Sequence, residues 1–357
     1  MRTGYATLPL HGGRAPAWLF HRMVRLARAL ALHVLEAHGR EALLRRLSDP
    51  FWFQALGCVL GFDWHSSGLT TTTTGALKEG LRGLERETGL CVAGGKGAAG
   101  RRTPAELEAA CAAWGTDAGA LVRASRLAAK VDSAAVQDGY RIYHHAFVAT
   151  REGRWCVIQQ GMSDATGLAR RYHWLGEGLA SFVREPHAAV CCDARGETLN
   201  LVAEESARAQ AALLAVAREP DRETGRLLQR LPELTLPRRH AVTAADLDPR
   251  RLRRVLLSTW ERAPADFESL LLTPGLGAKA LRALALVAEL VHGTPASTRD
   301  PARFSFAHGG KDGTPYPVDR AVYDHTVAVL EDGLRRAPLE RRERDAALRR
   351  LARFAAA

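Results

Sequence analysis

The run Leu272-Thr273-Pro274-Gly275-Leu276-Gly277-Ala278-Lys279-Ala280-Leu281 constrains this chain more tightly than any other. Proline interrupts a helix and glycine accepts backbone angles closed to other residues, so a helix arriving here has to stop and turn. Apolar residues at helical spacing lead into the run over residues 265–272 and leave it over residues 278–292, which predicts two helices joined by a tight Pro-Gly-apolar-Gly turn. Without Cβ atoms, Gly275 and Gly277 let a ligand close on the backbone. The amides of Gly277, Ala278 and Lys279 open the second helix at its positive end, where an anion is favoured. Lys279 and Arg282 add side-chain cations. Two uses fit this turn: a glycine-capped packing corner, and a cradle for a phosphate.

The second use is that of a helix-hairpin-helix, a nucleic-acid-binding unit, and the bulk charge agrees with it. The 357 residues carry 50 Lys and Arg against 39 Asp and Glu, a formal balance of +11. A chain so basic is suited to a polyanionic partner, because Lys and Arg neutralise phosphates and release counterions. The expected partner is nucleic acid, DNA before RNA. Only Lys78, Lys96, Lys130, Lys279 and Lys311 are lysines, so Arg is the default cation. A retained Lys marks a position where a compact ammonium is useful.

Other classes are disfavoured. The six cysteines form no C-x-x-C pair, and a disulfide framework is not expected, which makes a reducing cytoplasm the default. Vicinal Cys191-Cys192 lies in an apolar run and reads as core. Residues 18–37 are apolar but broken by Arg22, Arg25 and Arg28, so an amphipathic helix is expected there, with no membrane span. The P-loop pattern G-x-x-x-x-G-K-[ST] is missing, which argues against a nucleotide hydrolase.

The length suits two domains. Residues 1–200 mix helices, short strands and glycine loops; residues 201–357 read as helical nearly throughout. The expected fold is therefore α+β, with a hairpin-containing sheet ahead of a helical, nucleic-acid-binding domain that holds the turn within residues 265–292. Residues 3–10 alternate weakly, as a strand would. Asp49-Pro50 has the form of a helix N-cap followed by Pro at the first helical position. The five threonines at 70–74 favour extended backbone or a cap for a helix starting at Gly75. Thr103-Pro104-Ala105-Glu106 has the form of a capping box. The Gly94-Gly95-Lys96-Gly97 loop has the form of a backbone anion nest.

The clearest strand signal is a hairpin over residues 138–162, with Glu152-Gly153 as a two-residue turn. That turn would pair Arg151 with Arg154, Phe147 with Ile158 and His145 with Gln160, leaving His144 and Gln159 on the opposite face. Polar side chains at its open end need partners. Asp132 and Asp138 lead into this end, while Arg171 and His173 leave it. A site of Lys96, Asp132, Asp138, His144, His145, Gln160, Arg171 and His173 would suit phosphodiester hydrolysis. Carboxylates and imidazoles can hold a divalent metal, Mg or Mn, cations can meet the developing charge, and His can move a proton. A hydrogen-bonded structural network uses the same residue types.

Residues 264–279 with Pro317-Val318-Asp319-Arg320 resemble the helix-hairpin-helix DNA glycosylase superfamily over about sixty positions. That resemblance implies a Schiff-base role for Lys279 and a catalytic role for Asp319. The 40 positions between them, holding His308 and Lys311, depart from the family's shorter spacing. The tail from Arg335 carries eight Arg against Glu340, Glu343 and Asp345, suited either to a phosphate backbone or to a solvated helix face. Finally, the opening Arg2-Thr3-Gly4-Tyr5-Ala6-Thr7-Leu8-Pro9-Leu10-His11-Gly12-Gly13-Arg14-Ala15-Pro16, the run Asp132-Ser133-Ala134-Ala135-Val136-Gln137-Asp138-Gly139-Tyr140 and the run Phe304-Ser305-Phe306-Ala307-His308-Gly309-Gly310-Lys311-Asp312-Gly313 resemble a prokaryotic family, domain of unknown function 763. That likeness covers most of the chain and implies a soluble archaeal or bacterial protein without assigning an activity. Three functions remain in play: a DNA repair nuclease, a glycosylase or lyase, and a nucleic-acid-binding protein without catalysis.

Overall fold

The computed structural model of the chain describes residues 15–62, 66–192, 194–219, 260–302 and 320–355. The expected strand at 3–10, His65, Lys311 and Asp319 lie outside the described residues.

Helices α1 (Ala17–His38), α2 (Arg40–Ser48), α3 (Pro50–Leu60) and α4 (Gly68–Leu81) come first. Asp49 caps α3 as its residue type predicts, its carboxylate accepting from the amides of Phe51 and Trp52 at 2.8 and 2.9 Å. The threonine run, expected as a strand or a cap, lies wholly inside α4. Its hydroxyls turn back onto the helix, Thr74 Oγ1 donating to Thr70 O at 2.8 Å, and packing of Leu69, Ala76 and Leu77 into the core outweighs β-propensity.

After α5 (Glu85–Thr88) come β1 (Leu90–Lys96), α6 (Ala98–Arg101), α7 (Thr103–Trp114), α8 (Gly119–Lys130) and a one-turn π-helix over Val131–Ala135. The strands β2 (Val136–Gln137), β3 (Arg141–Thr150), β4 (Trp155–Ser163), β5 (Leu168–Leu175), β6 (Ala189–Cys191) and β7 (Leu199–Asn200) follow. An antiparallel sheet runs β1-β3-β4-β5-β6, and β2 pairs separately with β7. A 3-10 turn at Glu204–Ser206 opens α9 (Ala207–Arg218). The later helices are α10 (Phe267–Leu271), α11 (Ala278–His292), α12 (Arg320–Arg336) and α13 (Arg341–Ala355). The class is α+β, as expected. No described helix is long and apolar enough to cross a membrane.

Three local expectations are corrected. The hairpin loop has three residues, Arg151-Glu152-Gly153: Thr150 N donates to Arg154 O at 2.8 Å and Gly153 N to Thr150 O at 3.0 Å. Gly153 sits at φ 81°, the left-handed residue that a three-residue turn demands. The pairing is thereby shifted by one, to Phe147 with Val157, His145 with Gln159 and His144 with Gln160. The Gly-Gly-Lys segment is the end of strand β1 and not a loop nest, with Gly95 opposite His145 and Lys96 opposite His144. Thr103 forms no capping box. Its hydroxyl donates to Gly100 O at 2.7 Å, and Glu106 instead accepts from Gly94 N at 2.7 Å and Lys78 Nζ at 2.6 Å.

Both faces of the sheet are covered. Phe147, Val157, Tyr172 and Trp174 pack into one core with α7, α8, α9 and α11; Val148, Cys156 and Ile158 pack into another with α1–α4, α12 and α13. Each core draws on both sides of residue 200: Leu281 and Leu284 join the first, Leu330 and Leu351 the second. Cys191 and Cys192 are buried free thiols, and Cys192 Sγ lies 3.1 Å from Tyr140 Oη.

Gly94 tests the edge of this sheet. It sits at φ 88°, and a Cβ there would stand 2.2 Å from His145 O and 2.6 Å from Thr103 Oγ1. Gly94→Ala is expected to lower stability by about 3 kcal/mol, read as a fall in the urea midpoint at unchanged m.

Candidate functional site

Strand alternation divides the residues expected to form one site, and the shifted register exchanges their glutamine partners. Side chains alternate across a strand, so His145 and Gln159 fall on the face toward α8, while His144, Gln160 and Arg171 fall together on the face toward α4. All five are buried.

On the first face a hydrogen-bonded chain runs from Ser125 to His187. Gln159 Nε2 donates to Asp132 Oδ2 and to Ala128 O, so its Oε1 accepts from His145 Nδ1 at 2.9 Å. That fixes His145 with its proton on Nδ1, and Ser125 Oγ donates to the bare Nε2 at 3.0 Å. Burial lowers the pKa of His145, which agrees with a neutral ring. Asp132 also accepts from Trp174 Nε1 at 2.9 Å and from His187 Nε2 at 2.5 Å. The π-turn delivers Asp132 here, aiming a carboxylate from the end of α8 under the sheet. His187 was missed by sequence reasoning: it lies in an irregular segment, and no periodicity points it at Asp132.

On the second face Thr74 Oγ1, which donates to Thr70 O, lies 3.0 Å from His144 Nε2 and accepts from it. His144 Nδ1 is then a bare, buried acceptor, and Gln160 Oε1 beside it is another. Gln160 Nε2 donates to Ser67 O at 2.8 Å and to Tyr143 Oη. Burial drives the pKa of His144 down to about 3. Arg171 Nε donates to His173 Nε2 at 2.9 Å, its Nη2 to Gln54 Oε1 at 3.0 Å, and its guanidinium lies 4.8 Å from the Phe53 ring centroid. His173 Nδ1 donates to Leu47 O at 3.1 Å, so this ring is neutral too, its pKa held well below the ordinary value first by burial and then by Arg171. Burial also lowers the pKa of Arg171, to about 10.

Asp138 belongs to neither set. It accepts from Arg170 Nη1 at 2.8 Å and from Tyr172 Oη at 2.6 Å, while Arg170 Nη2 reaches Asp300 at 2.8 Å. Burial opposes the charge on Arg170, but Asp138 and Asp300 outweigh it and raise its pKa. This buried pair bolts residue 300 to the sheet. Lys96 is exposed at the end of β1, its Nζ 5.6 Å from the Tyr143 ring centroid. The eight residues are thus distributed among two faces, a rim and an edge. Among the described residues no three His, Cys, Asp or Glu side chains gather as a metal site. Both networks are buried and largely hydrogen-bonded within themselves, with neutral histidine rings, and His144 Nδ1 and Gln160 Oε1 are the acceptors left bare.

The Pro-Gly turn is the other candidate. α10 is a single turn, closed at its start by a reciprocal bond between Asp266 and Ser269, and is shorter than the stretch at 265–272 suggested; α11 spans the residues expected. Leu276 anchors the turn in the core, while Pro274, Gly275 and Lys279 are exposed. Gly275 has φ 83°; Gly277, at φ −108°, is the N-cap of α11. A Cβ on either glycine would meet nothing within 4 Å. From beneath, Lys130 Nζ donates to Leu276 O at 2.6 Å and Gln137 Nε2 to Ala278 O at 2.8 Å. Arg282, expected to face phosphate, instead donates to Gln137 Oε1 at 2.8 Å and braces the same support. Burial lowers the pKa of Lys130. Its role is to hold the turn.

These features describe a basic α+β protein with a sheet buried on both sides and a rigidly backed glycine turn at a helix start. The chain belongs to the family described as "Protein of unknown function (DUF763)", whose model matches residues 4–318. Comparison with curated proteins and with solved structures gives no match.

Two outcomes follow from the buried networks. Asp132→Ala strips a partner from Gln159, Trp174 and His187, and should cost about 3 kcal/mol or more, measured by chemical denaturation. His144, His145 and His173 stay neutral when folded but take a proton near pH 6.5 when unfolded. The unfolded chain then binds more protons, so stability is present above that pH and falls below it. His144, with its pKa at about 3, should by itself remove about 2 kcal/mol between pH 7 and pH 5, and His145 and His173 act in the same direction, seen as a drop in Tm.

Proposed function

We propose that this protein binds nucleic acid, DNA in the first place, by seating a backbone phosphate on the turn Pro274–Lys279. The observation that carries the reading is the open space over Gly275 and Gly277 at the start of a 15-residue helix. A phosphate oxygen can approach the first-turn amides, which a helix leaves without intrahelical acceptors. Lys279 is exposed beside them, and the overall charge of +11 draws a polyanion in. Contacts of this kind position a duplex without reading its sequence. Strand hydrolysis receives no comparable support, since the His, Asp and Gln residues that suggested it are buried on opposite faces of the sheet.

The test is fluorescence anisotropy with a labelled 20-base-pair duplex across a salt series. Affinity should fall steeply with salt, and Lys279→Ala should lower the salt slope by about one. Gly277→Val places its branches over the turn at a backbone angle that valine tolerates. It should therefore keep the parent Tm and weaken binding by about tenfold, roughly 1.4 kcal/mol. Unchanged affinity in both variants would overturn the reading. The same duplex held with Mn2+ or with EDTA should stay intact; cleavage in Mn2+ alone would restore the nuclease.

A further inference from the structure

A groove of about 330 Å3 lies between α1 and the corner joining α12 to α13, outside the turn and both buried networks. Three guanidinium side chains line it, Arg25, Arg28 and Arg336, against a single lining carboxylate, Glu36. Like charges brought to one hollow repel each other. Two of these are braced by carboxylates outside the lining, Arg25 by Glu343 at 3.4 Å and Arg336 by Asp332 at 2.9 Å. Arg28 is exposed and forms no ion pair among the described residues. The rest of the lining is His33, whose Nε2 lies 3.2 Å from Asp332 Oδ2, and the apolar Ala29, Leu32, Ala337, Pro338 and Leu339. The corner itself is fixed, because Arg344 Nη2 donates to Ala337 O and Leu339 O, each at 3.2 Å.

We propose that this groove binds a small phosphate monoester with an apolar body. Guanidinium forks match phosphate oxygens two at a time, and bracing two of them in advance lowers the ordering cost of binding. The apolar wall gives a ring or short aliphatic group a surface to cover. The volume is at the small end of ligand sites, about 300–1,000 Å3, which suits one phosphate and one ring. The site is separate from the turn and does not depend on the nucleic-acid reading.

Isothermal titration of the full chain with phenyl phosphate tests it, with inorganic phosphate and phenol titrated separately. Phenyl phosphate should saturate a single site, inorganic phosphate should bind at least tenfold more weakly, and phenol should show no heat. Arg28→Ala should raise the Kd for phenyl phosphate tenfold or more. Ala29→Trp, which fills the groove with an indole, should abolish binding. Thermal unfolding reports whether each variant is folded; should Ala29→Trp fail to fold, Arg28→Ala changes only an exposed side chain and still decides. Absence of saturation, equal affinity for inorganic phosphate, or an unchanged Kd in Arg28→Ala would each overturn the proposal.

Discussion

The pairing of β3 with β4 is the constraint on which the rest of this molecule depends, and three residues set it. Because side chains alternate strictly across a strand, adding one residue to the turn at Arg151-Glu152-Gly153 sends every partner of β3 to a new neighbour. With a two-residue turn, His145 would sit across from Gln160. With the turn that forms, each histidine meets a glutamine on its own face. The bulge at Tyr143, between Ile142 and His144, then restores the open end of the hairpin to a different register.

Covering both faces with helices makes this antiparallel sheet unusual, since one face of such a sheet is commonly solvated. The polar pairs are consequently dry on each side. The structure resolves them by fixing neutral tautomers: each histidine has one nitrogen donating and the other accepting or bare. The two arginines on β5 are handled differently. Arg170 meets two carboxylates, whereas Arg171 is spread over an imidazole, an amide and an aromatic face. The nucleic-acid contact proposed above lies instead where the chain turns at the surface.

Much of this was legible in the sequence where a local rule was enough. The cap at Asp49, α1, the α10–α11 turn and the hairpin strands all follow from residue type and spacing. Where tertiary packing decides, the local rule failed. The threonines became helix because their neighbours Leu69, Ala76 and Leu77 belong to a core. Glu106 left its cap to hold Gly94 and Lys78. For the polar cluster, composition showed that partners were needed but not on which side of the sheet. Alternation along β3 divides His144 from His145 in any register, and the one-residue difference in turn length decides which glutamine each of them meets. Arg282, expected by position as a phosphate ligand, also donates to Gln137 Oε1, a partner 145 positions away that local spacing does not reveal.

The π-turn at Val131–Ala135 has one more consequence. Such a turn is an α-helix carrying a single extra residue, so its carboxylate is aimed by an insertion. Removing one residue from this turn would let the helix relax to regular winding and change the phase between Asp132 and β2 by about 100°, the angular step per residue of an α-helix. The carboxylate would leave Trp174, Gln159 and His187, and β2 would start from a different side of the helix. Val131, Asp132, Ala134 and Ala135 are buried, so side-chain exchange in this turn is limited by the core as well. A change of length there by one residue would rebuild the underside of the sheet.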